Sequence, residues 1–183
     1  NEVKEAIFAI HCFTDLMFEF HEFSFIENRF SNSLLKGKGG GGIGLVLFEL
    51  DSKESHKPIS LSFIDCQFIG NRATSESNSN ENGGAFFYDD DDHSTELALT
   101  FSRCFFEMNQ ADGIGGALYI NHHHDLTIDM CVFTNNSAKS SDTLYICSVG
   151  NFMLTNSNFT KSTINSELSN TQITLTHQNS NEI

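Results

Sequence analysis

Apolar residues recur along this chain at every second position, in short runs, and never in a sustained helical period. Leu61-Ser62-Phe63, Leu99-Thr100-Phe101 and Leu126-Thr127-Ile128 are three such runs. Period-two alternation over a few residues, with Phe, Ile and Thr prominent, predicts β-strands. Turn residues and polar stretches separate the runs.

The runs belong to a repeated frame. Leu61, Phe63, Cys66, Phe68 and Asn71 keep the same offsets as Leu99, Phe101, Cys104, Phe106 and Asn109. Leu126, Ile128, Cys131, Phe133 and Asn136 repeat them again. Phe18, Phe20, Phe23, Phe25 and Asn28 make an earlier copy, and Phe152, Leu154, Ser157, Phe159 and Ser162 a later one. Phe fills the eighth of eleven positions in all five copies, and Asn the last in four. A second element falls between copies: Gly83-Gly84-Ala85-Phe86-Phe87-Tyr88 matches Gly115-Gly116-Ala117-Leu118-Tyr119-Ile120. Residues 41–48 are a degenerate version, and residues 141–146 keep its tail without the glycines.

The frames start at residues 18, 61, 99, 126 and 152, so the shortest spacings are 26 and 27 residues. A unit of that size with two or three short strands is one coil of a parallel β-solenoid. Coils stack about 4.8 Å apart, so like positions lie above one another. Phe25, Phe68, Phe106, Phe133 and Phe159 then form one inward column. Phe20, Phe63, Phe101, Ile128 and Leu154 form another. Asn28, Asn71, Asn109 and Asn136 form a ladder at a turn, where Asn tolerates left-handed backbone and stacked amides bond from coil to coil. Gly83, Gly84, Gly115 and Gly116 suit a tight corner that a Cβ would obstruct. Cys66, Cys104 and Cys131 form a column of small buried thiols beside the bulky rings, with Phe23 and Ser157 in the same column.

The expected architecture is all-β and occupies residues 1–183 as one domain. Residues 1–17 read as an incomplete first coil or cap, 18–163 as the repeats, and 164–183 as a polar C-terminal strand or tail. Residues 172–176 are a last strand. Neither end reads as a full cap, so end-to-end association with flanking coils is expected. The first residue is Asn1, and the chain reads as a segment of something longer.

Charge narrows the function. Ten Lys and Arg face 24 Asp and Glu, for a net charge of −14. Nucleic acid and anionic membrane surfaces need a basic footprint and are disfavoured as partners. No apolar run approaches membrane-spanning length, so direct membrane insertion is not expected.

Phe-x-x-Asn alternating with Gly-Gly-Ala and an aliphatic or aromatic residue resembles the repeats of the polymorphic outer membrane proteins, and of similar protist surface proteins. Phe25–Asn28, Phe68–Asn71, Phe106–Asn109 and Phe133–Asn136 carry the first motif. Gly83–Ala85 and Gly115–Ala117 carry the second. The likeness covers residues 18–163. It implies a right-handed parallel β-helix, a pectin-lyase-like solenoid of about six coils, at the cell surface or secreted. It implies an adhesin or scaffold whose partner is a host or cell-surface protein or glycan. The alternative on the same fold is a carbohydrate-active enzyme, a polysaccharide lyase or hydrolase, with Asp65, Asp129, Glu107 and Arg103 as outward candidates.

The residues themselves suggest one metal site. Asp90, Asp91 and His93 follow the first Gly-Gly-Ala strand, and His122, His123 and Asp125 follow the second. Stacked coils bring these two polar stretches together as loops. Mixed imidazole and carboxylate ligands suit Zn²⁺, Ni²⁺ or Cu²⁺, and carboxylates alone suit Ca²⁺. A divalent metal is the only cofactor the sequence suggests, and the fold requires none. The Gly-rich stretch 37–42 lacks the Lys-Ser/Thr of a phosphate loop. Asn135 and Asn158 open the glycosylation sequons Asn135-Asn136-Ser137 and Asn158-Phe159-Thr160.

Overall fold

A computed structural model describes residues 2–3, 16–31, 43–46, 59–74, 81–89, 96–139, 143–160, 164–168 and 173–176. The fold is all-β and β-helix-like, with parallel strands in stacked sheets. Every strand pairing is parallel.

The chain visits three sheets in a fixed cycle. Among the described residues, strand Ile59–Ile64 lies in a nine-stranded sheet, Gln67–Ile69 in a second of five strands, and Arg72–Thr74 in a third, also of five. Phe86–Asp89 then returns to the first sheet, and Leu97–Ser102 opens the next frame there. The last strand, Ile173–Thr176, pairs with the frame-five strand at Phe152–Thr155. In sequence, Asn1 precedes strand Glu2–Val3 just as Asn28, Asn71, Asn109 and Asn136 precede theirs.

Registers place like frame positions side by side. Phe20, Phe63, Phe101, Ile128, Leu154 and Leu175 form one series. Phe25, Phe68, Phe106, Phe133 and Phe159 form the other. The second column stacks ring on ring, with centroids 4.9, 4.7, 4.6 and 4.7 Å apart along it. The first stacks at 5.0 and 5.1 Å from Phe20 to Phe101. Between columns the rings meet edge to face, as Phe101 and Phe106 do at 5.5 Å. Each such pair adds about 0.5–1.5 kcal/mol to the area it buries.

The glycines act at two levels. Gly83 and Gly115 have φ of +69° and +70°, a left-handed turn that side chains resist. Gly84 and Gly116 lie where neighbouring chain passes. A Cβ on Gly84 would sit 2.0 Å from the Gly116 carbonyl oxygen, and one on Gly116 2.4 Å from that of Ser137.

Two expectations need correction. The ladder asparagines are not the left-handed residues. That conformation belongs to the residue before each: Glu27 (φ 51°), Gly70 (64°), Met108 (53°) and Asn135 (53°). The stretch 121–125 is not a loop. It lies inside one twelve-residue strand, Leu118–Asp129, with register irregularities between Asn121 and Asp125. The physical reason is spacing. Seven residues, 90–96, separate Phe86–Asp89 from Leu97–Ser102, whereas the short unit 99–125 has no such insert, so its last strand fuses with the next frame's first.

Candidate binding surface

The surface is built by the bends, and the bends follow from five-residue units. Each frame is a tandem: Phe63-Ile64-Asp65-Cys66-Gln67 followed by Phe68-Ile69-Gly70-Asn71-Arg72. Both halves bend alike. The third residue is left-handed, as at Asp65 (φ 55°) and Gly70 (64°). Its N–H donates forward to the next frame: Asp65 to the Ser102 carbonyl, and Gly70 to that of Glu107. The fifth residue's N–H donates backward: Gln67 to the Phe23 carbonyl, and Arg72 to that of Asn28. The backbone ladder therefore skips the N–H of the fourth residue and the C=O of the first.

Side chains of the following frame complete both. At the second bend the carboxamide does this. Asn109 Oδ1 accepts from the Asn71 N–H at 3.0 Å, and Asn109 Nδ2 donates to the Phe68 carbonyl at 2.8 Å. Asn136 repeats both contacts one frame on, at 3.0 and 2.9 Å, and Asn71 one frame back, at 3.1 and 2.7 Å. Asn28, Asn71 and Asn109 also donate to the next carboxamide's Oδ1, at 3.0, 3.0 and 2.9 Å.

At the first bend a thiol or hydroxyl does the same work. Cys66, Cys104 and Cys131 donate to the carbonyls of Phe20, Phe63 and Phe101 at 3.3, 3.3 and 3.5 Å. The Cys104 N–H donates to Cys131 Sγ at 3.4 Å, and the Cys131 N–H to Ser157 Oγ at 3.0 Å. Ser157 does half of this work: its Oγ accepts the Cys131 N–H, while its hydroxyl donates to the Thr155 carbonyl of its own frame at 2.9 Å. The thiols are buried and free. A hydrogen bond with Cys131, together with burial, pushes the Cys104 thiol up to about 12. Cys66 is raised further, chiefly by its bond with Cys104 and then by burial.

Outside the bends, side chains face solvent. Among the described residues, all eight non-glycine left-handed ones are exposed: Glu22, Glu27, Asp65, Arg103, Met108, Met130, Asn135 and Asn156. They form two ridges along the stacked frames. Asp65 and Arg103, two of the outward candidates, are bend residues. They form a two-pronged ion pair, with both N–O distances at 2.7 Å. The Arg103 hydrogen bond holds the Asp65 carboxyl below the ordinary aspartate range, and Asp65 raises Arg103 in return.

Three further carboxylates, the buried Asp89 and the half-buried Asp125 and Asp129, also lean on the following frame. Asp89 accepts from Asn121 and Asp125 from Asn151, each at 2.8 Å. Asp129 accepts from Thr155, and from Asn156 at 3.1 Å. Glu107 ends strand Phe105–Glu107 on the second sheet.

Of the suggested metal ligands, Asp90, Asp91 and His93 lie outside the described residues. His122 and His123 lie in strand Leu118–Asp129, where the register shifts. The Asp89–Asn121 pairing brings the ends of the two Gly-Gly-Ala strands together. Among the described residues, no group of three or more His, Cys, Asp or Glu is placed to hold a metal ion. Among them, too, no helix is long and apolar enough to cross a membrane.

No family model, curated protein or solved structure matches this chain.

Proposed function

We propose that this chain is a non-catalytic, surface-exposed segment of a right-handed, pectin-lyase-like β-helix of about six coils. It acts as an adhesin or scaffold at the cell surface or in secreted form. Its partner is a cell-surface protein or glycan, which meets side chains displayed on the bends and loops. The resemblance to polymorphic outer membrane protein repeats points the same way.

One observation carries this reading. Left-handed backbone costs a non-glycine residue about 1–2 kcal/mol. Eight of the nine such positions among the described residues of the frames nevertheless carry a side chain, and all eight side chains are exposed. Glycine would relieve the strain without emptying the core. Strain kept at exposed positions is a mark of functional surface. The repeat spaces these side chains evenly along two ridges, as multivalent display requires.

The test is binding of the purified chain to a glycan array and to intact cells. Binding reduced by combined alanine substitution of Met108, Met130 and Asn156 supports display from the ridges. Binding that ignores those substitutions, or no binding to any surface, would sink it.

A carbohydrate-active enzyme is the second reading, favoured by Asp65, Arg103 and Asp129 lying along one corner. New reducing or unsaturated ends from a polysaccharide panel would establish it. A divalent metal held by Asp90, Asp91, His93, His122, His123 and Asp125 is a separate proposal. A rise in melting temperature with Zn²⁺, Ni²⁺ or Ca²⁺ supports it, and no shift with any of them removes it.

A further inference from the structure

The two sequons, Asn135-Asn136-Ser137 and Asn158-Phe159-Thr160, are each centred on an inward residue. Asn136 is the buried ladder amide of its frame, and Phe159 stacks on Phe133 at 4.7 Å. The residues on either side point the other way. Strand Asn158–Thr160 runs exposed, half-buried, exposed. The bend at 135–137 repeats this as exposed, buried, exposed. In both sequons the asparagine and the hydroxyl, two residues apart, therefore face solvent together.

The frame separates these asparagines from the ladder ones. Asn28, Asn71, Asn109 and Asn136 are followed two residues on by Phe30, Ala73, Ala111 and Ala138. Those four share one register position on the third sheet, and Ala73 and Ala111 are buried. An inward apolar position there excludes the hydroxyl that a sequon needs. Asn135 and Ser137 instead take the places of Glu27 and Arg29, Gly70 and Arg72, and Met108 and Gln110 in earlier frames. Asn158 and Thr160 take those of Val132 and Thr134. The backbone of each acceptor is held: the Asn135 N–H donates to the Thr160 carbonyl at 3.2 Å, and the Asn158 N–H to that of Cys131 at 2.9 Å. Among the described residues, no hydrogen bond engages either carboxamide.

We propose that Asn135 and Asn158 carry N-linked glycans. The donor is an oligosaccharide on a lipid pyrophosphate. The acceptor Nδ2 bonds to the anomeric carbon of the sugar as the C–O bond to pyrophosphate breaks. Nδ2 gives up one proton to a base of the transferase, and the lipid pyrophosphate leaves. In the folded chain the two glycans stand on the second sheet and on the bend that leaves it, clear of the ring columns and of the asparagine ladder. The inference rests on the secreted or cell-surface reading proposed above, in its eukaryotic form, and adds a modification to it.

The whole chain, translated behind a signal peptide in the presence of microsomes, tests the acceptors. Two upward steps in gel mobility are expected, both removed by a peptide N-glycosidase, which leaves aspartate at each acceptor in peptide mass spectra. Asn135→Gln and Ser137→Ala should each abolish one step, and Asn158→Gln and Thr160→Ala the other. Fewer than two steps in the parent chain, or steps that survive these substitutions, overturn the proposal. The purified glycosylated chain should keep slow amide exchange at Asn71. Glycans confined to chain that lacks this protection overturn the proposal too, since the acceptors would then not be surface positions of the fold. Protein from its natural source separates the two readings. Glycans added in microsomes but absent from the natural protein sink the eukaryotic secreted or cell-surface reading. No glycan in microsomes sinks the acceptors alone.

Discussion

The two bends of each frame leave the same backbone groups open and fill them with different chemistry. At the amide bend, Asn Oδ1 and Nδ2 make bonds of 2.7–3.1 Å to the preceding frame. At the thiol bend, the cysteine bonds to the preceding frame run from 3.3 to 3.5 Å. A carboxamide offers two donors and a two-lone-pair acceptor, whereas a thiol is weak in both roles. The amide bend therefore binds frames tightly and specifically. The thiol bend mainly fills space beside the rings and tolerates exchange. Ser157 and Phe23 stand at the thiol position, whereas the amide position is Asn in four of the five frames and Ser162 in the fifth.

Replacing Asn109 by Ala should have the largest effect. It strands the buried Asn71 N–H and the Phe68 carbonyl. Each unsatisfied buried group costs about 1–3 kcal/mol, so a loss of about 3–5 kcal/mol is expected in denaturant unfolding. Cys104→Ala should cost less, about 1–2 kcal/mol, because only weak bonds and a small volume are lost. Cys104→Ser should change stability by less than about 1 kcal/mol, since a hydroxyl serves the same bend at Ser157. Equal losses at Asn109 and Cys104 would erase the distinction between the bends.

Alkaline pH sharpens the same contrast. Cys104 is raised to about 12 in the folded chain, against about 8.5 for a free thiol. Unfolded thiol ionises first as pH rises. The stability this group contributes is thus complete below about pH 8.5 and is lost as pH climbs toward 12. Cys104→Ser should flatten that limb relative to the parent, whereas Asn109→Ala should lower the whole curve without changing its slope. Melting temperatures between pH 8 and 11 separate the two.

The smallest effects belong to the left-handed residues themselves. Met108→Gly and Met130→Gly relieve strain but free the unfolded chain, for a net gain below about 1 kcal/mol. Gly70→Ala runs the other way, costing about 1 kcal/mol. Both bends should respond alike here, because this part of their geometry is shared.

Much of the fold is legible in the sequence because stacking repeats the same choice at the same place. Phe133 and Asn136 are conspicuous only beside Phe106 and Asn109. The bend chemistry was harder to see. Cys-x-Phe-x-x-Asn hides a tandem, Phe-x-x-Cys-x-Phe-x-x-Asn-x, in which Cys and Asn are equivalent. Their side chains differ, so residue identity conceals the match, while spacing reveals it. The left-handed residues were missed for a related reason. Glu22, Arg103, Met108 and Met130 have no propensity for that backbone, and the ladder imposes it on them. Fusion of two strands through His122 and His123 depends on an absent insert, which only the unit length betrays. The exposed ridges follow from the bend, so they became readable only once the bend was placed.

The central point is directional: each frame's side chain completes the bend of the frame before it. Amide hydrogen exchange in Asn109→Ala tests this most directly. The Asn71 N–H, accepted by Asn109 Oδ1, should lose its protection. The Asn109-position N–H, accepted by Asn136 Oδ1, should keep it. Retained protection at residue 71, or loss at 109 with 71 intact, would contradict the directional ladder.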